Sequence, residues 1–444
     1  MQTISVVGLG KLGSPFLATC ASRGFNVIGL DVNSYFVGLL NQGKAPVDEP
    51  NLTQLILKNR KNLKATSDYS EAVNNSDITF VIVPTPSTKK GTFSNAYVVS
   101  AVRQIGKVLA EKDKFHLVVV ISTIMPESMD NEIIPVLENA SGKKLNRDFG
   151  ICYNPEFIAL GSVIDNLLNP DFVMIGESDR KSGLILEKFY KKFCTNKPPI
   201  RRMNFVNAEI SKLALNSYIT TKISFANTLA QICEKVSGGD VDIVTSAIGQ
   251  DSRIGSKYLK GALSYGGPCF PRDNRAFSSF ANKVGVDAPL AKANDLVNEH
   301  TIDHIVKKLE KISVNKNCKI AILGLAYKPD TDVAEESAGV KIGNLLSKGG
   351  AKVYVWDPKA MPKTGDLISK RVIFARSMKD CVADADVIVI ATPWEEFKKI
   401  KTNDLKHGSK PILLDCWRML NPLKYKHVAQ YRAIGLERFK IANE

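Results

Sequence analysis

The chain has no Cys-x-x-Cys pair. Its eight cysteines (20, 152, 194, 233, 269, 318, 381 and 416) are irregularly spaced, which argues against a zinc ribbon or a disulfide framework and for a reducing, cytoplasmic setting. A long hydrophobic run is also lacking. The longest, such as Ile78 to Pro84, fall far short of a membrane span, so no membrane partner is expected. The amino terminus enters a strand pattern at once, Ile4-Ser5-Val6-Val7, without the basic, apolar and small-residue succession of a secretory leader. Acidic residues are outnumbered 45 to 60, giving a net charge of +15 that favours anionic partners. Nucleic acid is one candidate, but there is no dense Lys/Arg block and no interleaving of basic and aromatic residues, and phosphorylated small molecules fit the charge equally well. His300 and His304 stand one helical turn apart, a spacing that can bind zinc. No third ligand accompanies them, and no metal site is expected.

What the chain does contain is one pattern written twice. Ile4-Ser5-Val6-Val7-Gly8-Leu9-Gly10 is echoed by Ile320-Ala321-Ile322-Leu323-Gly324-Leu325-Ala326. Gly24-Phe25-Asn26-Val27-Ile28-Gly29-Leu30-Asp31 is echoed by Gly350-Ala351-Lys352-Val353-Tyr354-Val355-Trp356-Asp357, and Ser76-Asp77-Ile78 by Ala385-Asp386-Val387. Short β-branched runs separated by helix-length stretches are parallel βαβ units. Between roughly residues 204 and 312 the strand signal vanishes. From 207 to 236 apolar residues recur at helical spacing until Ser237-Gly238-Gly239, a helix about 30 residues long that offers a subunit contact. The expected fold is therefore α/β: two Rossmann-like doubly wound domains (1–203 and 313–444) joined by a central helical domain (204–312) with a long linking helix.

Gly8, Gly10 and Gly13, with Lys11 and Leu12 between them, form a GxGxxG turn straight after a strand, and Asp31 closes the second strand. That arrangement lets a backbone approach a pyrophosphate at a helix N-terminus, and a carboxylate there binds ribose hydroxyls while repelling a 2′-phosphate. NAD is the expected cofactor. The second copy, Gly324-Leu325-Ala326-Tyr327-Lys328, has lost the glycine fingerprint and gained a tyrosine and a lysine, the latter suited to a phosphate. Glu209, Lys212 and Asn216 share one helix face, a pattern that on most helices is a surface ion pair. Cys269 follows Gly266-Gly267-Pro268 and precedes Arg272 and Asp273. A single cysteine is commonly a small buried hydrophobe, but a neighbouring arginine can favour a thiolate.

Taken in order, these motifs resemble the UDP-glucose/GDP-mannose dehydrogenases, the four-electron nucleotide-sugar 6-dehydrogenases. The resemblance runs through the glycine loop, Val83-Pro84-Thr85-Pro86, Ser122-Thr123, Asn154-Pro155-Glu156-Phe157, Ala208 to Asn216, Arg253-Ile254-Gly255, Gly266 to Phe270 and Leu325 to Lys328. It implies that Cys269 is the nucleophile and that Lys212 and Asn216 stabilise oxyanions. Asp273 and Glu156 would handle protons and the hydrolytic water, and Thr123 would order water beside the nicotinamide. Pro84 and Thr85 would join the cofactor site. Phe157, Arg253 from a neighbouring subunit, Lys260, Tyr265, Gly266, Tyr327, Lys328 and Arg418 would contact the sugar nucleotide. An alcohol oxidised twice gains from a covalent tether, because the thiohemiacetal holds the aldehyde between the oxidations. A homodimer or larger homo-oligomer is implied.

The chain departs from the family pattern at Phe36, Leu160, Pro268, Arg272 and Glu335, and in Asp415-Cys416-Trp417-Arg418. UDP-glucose is the leading substrate, with UDP-N-acetylhexosamine or GDP-mannose as alternatives. Two further readings are a redox-neutral nucleotide-sugar enzyme with tightly held NAD, and a non-catalytic binder of nucleotide sugar or nucleic acid.

Overall fold

The computed structural model describes residues 2–312, 318–406, 408 and 410–437. It divides into two compact units, 1–214 and 215–444. The expected boundary at 312/313 adjoins residues 313–317, outside the described residues.

The first unit holds eight strands: β1 (Thr3–Val7), β2 (Asn26–Leu30), β3 (Leu63–Thr66), β4 (Ile78–Val81), β5 (His116–Val120), β6 (Phe149–Tyr153), β7 (Val173–Glu177) and β8 (Ile200–Met203). They form one sheet in the order β3-β2-β1-β4-β5-β6-β7-β8, parallel except where β6 meets β7. The second unit holds β9 (Lys319–Leu323), β10 (Lys352–Trp356), β11 (Ile373–Phe374), β12 (Val387–Ile390), β13 (Ile412–Asp415) and β14 (Gln430–Ala433), all parallel, in the order β11-β10-β9-β12-β13-β14. Each sheet therefore starts at its third strand, runs back to its first and then jumps to its fourth. That jump is a topological switch point, where doubly wound folds bind ligands.

The repeat read from sequence is also a repeat in register. Ile4 pairs with Val27 and Ile78 in the first sheet. Ile320 pairs with Val353 and Val387, the same three repeat positions, in the second. In the first unit alternate strand residues enter two separate cores. Ile4, Val6, Val27, Phe80 and Val119 face one layer, while Val7, Ile28, Val81, Val118 and Val120 face the other. Both faces are covered, which is why these strands read as continuous apolar runs.

Between β8 and β9 no strand occurs among the described residues. The long helix spans Phe205–Cys233 and ends before the Ser237-Gly238-Gly239 signal. Glu234, the next residue, turns its buried carboxylate to the Gly435 N–H (3.1 Å), to His304 (2.9 Å) and to Lys308. Gly239 then packs so near the helix end that a Cβ there would lie 2.2 Å from the Cys233 carbonyl oxygen. The chain folds back onto its own last turn, and that contact stops the helix.

Each sheet has its first βα turn tied by the carboxylate that ends its second strand. Asp357 Oδ2 accepts from the N–H groups of Leu325 (2.7 Å) and Ala326 (2.9 Å) and from Trp394 Nε1 (3.1 Å). Its Oδ1 accepts from Lys359 (2.8 Å) and Ala360 (2.7 Å). Replacing Asp357 by Ala orphans several of these donors in a buried place, at about 1–3 kcal/mol each before relaxation. Asp357→Ala is thus expected to destabilise the second unit by about 3 kcal/mol or more, measured by denaturant unfolding.

Candidate active site

The glycine loop lies at the switch point of the first sheet. Gly8 has φ 96°, and a Cβ there would sit 2.2 Å from the Ile82 carbonyl oxygen. At Gly13, the first residue of the helix Gly13–Ser22, a Cβ would sit 1.8 Å from Gly8 O. At Gly10 a Cβ would meet nothing within 4 Å. Two glycines thus permit close packing, and the third borders open space at a helix N-terminus. The cap residue Leu12 has no side chain to accept from the first turn, and no acidic residue stands in that turn. Backbone N–H groups and the helix dipole are left to face an anion, the environment a pyrophosphate requires. Lys11 is exposed and Leu12 partly so. Asp31 Oδ2 accepts from Leu9 N (2.6 Å) and Oδ1 from Asn33 N (2.8 Å), while the side chain keeps part of its surface open. The ends of β4 and β5 are locked together. Ser122 Oγ accepts from Val83 N (2.9 Å) and donates to Val83 O (2.7 Å), and Thr85 Oγ1 donates to Thr123 O (2.6 Å). Pro84 beside them is exposed and Thr123 half-buried.

Still within the first unit, the structure brings Lys212, Glu156 and Phe157 together. Lys212 is buried; its Nζ donates to the Glu156 carbonyl oxygen at 2.7 Å and stands 4.7 Å from the centroid of the Phe157 ring. Burial pushes the Glu156 carboxyl up to about 7, against the lowering effects of Tyr190 and Lys212. Glu209 is not the surface partner of Lys212 that its spacing suggests. It is fully buried and accepts from the N–H groups of Glu127 (2.7 Å) and Met129 (2.9 Å). Desolvation pushes it to about 7 as well. A helix face read from spacing alone cannot show that a loop descends onto it.

The second unit holds the other candidates. Cys269 is exposed, whereas the other seven cysteines are buried. It caps the N-terminus of the helix Phe270–Lys283, where the dipole favours negative charge. Asp273, one turn on, is fully buried. Its N–H bonds the Cys269 carbonyl (2.8 Å), Oδ2 accepts from Asn216 Nδ2 (2.6 Å) and Oδ1 from Arg272 Nε (3.1 Å). Gly266 and Gly267 let this loop meet the segment after β9. A Cβ on Gly266 would lie 2.3 Å from Glu336 O, and one on Gly267 would lie 2.6 Å from the Tyr327 ring. Burial, with Cys269 and Tyr258 nearby, raises the Tyr327 phenol. Tyr265 donates to Asp295 Oδ1 (2.9 Å), an inward bond. Lys260 is exposed and Lys328 half-buried.

Two candidates stand differently. Arg253 is 87% exposed and pairs with Asp251 (2.6 Å). Arg418 is almost wholly buried and spends its guanidinium on Asp242 (2.7 Å), Ile434 O (2.7 Å) and Gly261 O (2.7 Å). That guanidinium serves the unit's own packing. His304 faces Glu234, and among the described residues no group of three or more metal-binding side chains is placed to hold an ion. Glu49 and Tyr190 escaped the sequence reading. Glu49 is buried and accepts from Gly161 N (2.9 Å) and Val163 N (2.7 Å), anchoring the segment after Phe157.

Three sequence models of one family match in chain order: the NAD binding domain at residues 2–194, the central domain at 206–300 and the UDP binding domain at 321–422. The chain belongs to the UDP-glucose/GDP-mannose dehydrogenase family. Membership makes it an NAD-dependent nucleotide-sugar dehydrogenase, and the glycine loop fits that cofactor. Among relatives in this family, UDP-glucose 6-dehydrogenase AglM of Haloferax volcanii is 36% identical over 397 residues, covering 89% of this chain and 92% of its own. GDP-mannose 6-dehydrogenase of Pseudomonas syringae pv. tomato is 32% identical over 423 residues, covering 92% and 95%. The structure of a UDP-glucose dehydrogenase from the hyperthermophilic archaeon Pyrobaculum islandicum superposes with a TM-score of 0.89 at 31% identity, covering 98% of each chain.

The glycine geometry separates two outcomes. Gly10→Ala is expected to fold normally yet weaken NAD binding about tenfold or more, by filling the anion space. Gly13→Ala is expected to destabilise the first unit itself, because its Cβ meets backbone. Calorimetric NAD titration beside thermal unfolding distinguishes them.

Proposed function

We propose that this enzyme oxidises the C6 alcohol of UDP-glucose to the carboxylate, with Cys269 as covalent anchor. The observation that carries the reading is the contrast among the cysteines. Seven are buried, and the one exposed thiol belongs to the N-cap residue of a helix whose first turn supplies Asp273. Bound NAD supplies the hydride acceptor for each of two oxidations. The chain's own residues supply the rest. The Cys269 sulfur adds to the aldehyde carbon, and the carbonyl oxygen takes the negative charge. Lys212, a cation held in a buried place, and Asn216, an amide donor, are the residues suited to that oxygen. After the second oxidation the thioester carbon is attacked by water. Of the water's two protons, one passes to Asp273 or Glu156 and the other to the Cys269 sulfur as the C–S bond breaks, leaving carboxylate and thiol. Thr123, held near Thr85 at the cofactor end of the first sheet, is the candidate for ordering water. Phe157, Lys260, Tyr265, Gly266, Tyr327 and Lys328 are candidate nucleotide-sugar contacts. UDP rather than GDP is supported by the two UDP-glucose dehydrogenases just described, at 36% and 31% identity. Glucose is supported by the names of the archaeal relatives just described.

A homodimer is part of the proposal. Tyr218, Phe225 and Ile232 recur every seven residues along the long helix, and each is more than half exposed. A stripe of that kind suits a second copy. Arg253, exposed and held by Asp251 on its own loop, is a candidate to reach a partner's substrate.

Two NADH per UDP-glucose are expected, from a screen that also contains GDP-mannose, UDP-galactose and UDP-N-acetylhexosamines. One NADH per turnover would sink the four-electron reading. Cys269→Ala should abolish acid formation while leaving NAD binding intact, and Lys212→Ala should lower kcat about 100- to 1,000-fold. Phe225→Glu should shift the dimer to monomer in sedimentation velocity.

A further inference from the structure

Asn154 and Tyr190, both buried, and Glu156, half-buried, form a short chain in the first unit whose hydrogen atoms can be counted. Asn154 Nδ2 donates to Met174 O at 2.8 Å, which leaves Oδ1 as an acceptor toward Tyr190. The reverse amide orientation would set Oδ1 against that carbonyl oxygen, two acceptors face to face. The Tyr190 hydroxyl touches both Asn154 Oδ1 and, at 3.1 Å, Glu156 Oε1. A hydroxyl has one proton. With Glu156 ionised, that one proton faces two acceptors, and one contact goes unmade where water is scarce. A cavity of about 10 Å³ lined by Asn154, Glu156, Met174 and Tyr190 has room for about one water. With Glu156 protonated, two protons serve two contacts, running from Glu156 to Tyr190 to Asn154.

We propose that Tyr190 is a positioning residue: its oxygen accepts from the Glu156 carboxylic acid while its proton goes to Asn154, so that Glu156 is held in acid form. The other titratable groups facing Glu156 are Lys212 on the long helix, Cys20 on the helix Gly13–Ser22 and Cys194 just past the helix Arg180–Phe193. Lys212 directs its hydrogen bond to the backbone carbonyl of Glu156. The burial that pushes Glu156 up to about 7 acts in the same sense as the proton count, whereas a Tyr190 hydroxyl that donated to the ionised carboxyl would pull it down. What the held proton does in turnover rests on the proposed function; that it is held does not. A carboxyl that exchanges its proton near neutrality can, once ionised, take a proton from the hydrolytic water and hand it to the departing Cys269 sulfur.

Difference infrared spectra of the purified full chain, without cofactor or substrate, titrated from about pH 5 to about pH 9, test it directly. Wild type should show a carboxylic-acid carbonyl band, absent from Glu156→Gln, that fades with a midpoint near 7. In Tyr190→Phe the acid loses its acceptor, and the midpoint should fall by about one pH unit. If Tyr190 instead donated to the carboxylate, the same variant would raise the midpoint. An unmoved or raised midpoint overturns the proposal, as does a wild-type band already lost in the ordinary glutamate range near 4.5. Should Tyr190→Phe fail to fold, a wild-type band lost in the ordinary glutamate range still overturns the proposal. With nucleotide sugar, Tyr190→Phe should lower kcat, leave KM unchanged and shift the acidic limb of the kcat profile downward. Absence of NADH with every nucleotide sugar would remove the proposed function and leave the spectroscopic result standing.

Discussion

A carboxylate at the end of the second strand organises each half of this chain. The first βα turn of a doubly wound sheet exposes N–H groups that no ladder satisfies, and something must accept from them. Asp31 does so for Leu9, and Asp357 for Leu325 and Ala326. From that shared tie the two halves diverge. In the second, Trp394 donates to Asp357, Thr392 Oγ1 donates to Ala326 O (2.6 Å), and a Cβ on Gly324 would strike Thr392 at 2.5 Å. Protein fills the space above the turn. In the first, Gly10 borders open space and Asp31 stays partly exposed. One scaffold thus yields a turn open to a pyrophosphate and a turn sealed against it.

Local patterns carried most of the fold. The repeated Ile4 and Ile320 segments, their glycine-led second strands and the third pair showed even the register, because ladder neighbours fall at equivalent repeat positions. The antiparallel meeting of β6 and β7 had no signal, since a buried strand reads the same in either direction. The residues proposed for the site could be named where chemistry needs a motif, as at Gly8 to Gly13, Glu156, Lys212 and Cys269. It was illegible where a side chain acts at long range. Tyr190 lies 34 residues from Glu156, and Glu209 lies 82 from Glu127. Neither separation has a period to detect. Arg418 shows the opposite error: a motif position suggested a ligand contact, and the guanidinium is occupied by Asp242 and two carbonyl oxygens.

Three carboxyl groups among the candidates and their neighbours show how partner type sets their use. Asp273 is fully buried beside a guanidinium and an amide, both donors only, so its surroundings complement a negative charge. Glu209 accepts from two backbone N–H groups, fixed donors that cannot change direction. It is suited to holding the segment at 127–129 in place. Glu156 alone meets a hydroxyl, a partner that can donate or accept. The same desolvation that makes Glu209 a rigid tether therefore makes Glu156 a group whose proton can move, because only its neighbour can reverse a hydrogen bond without any heavy atom shifting.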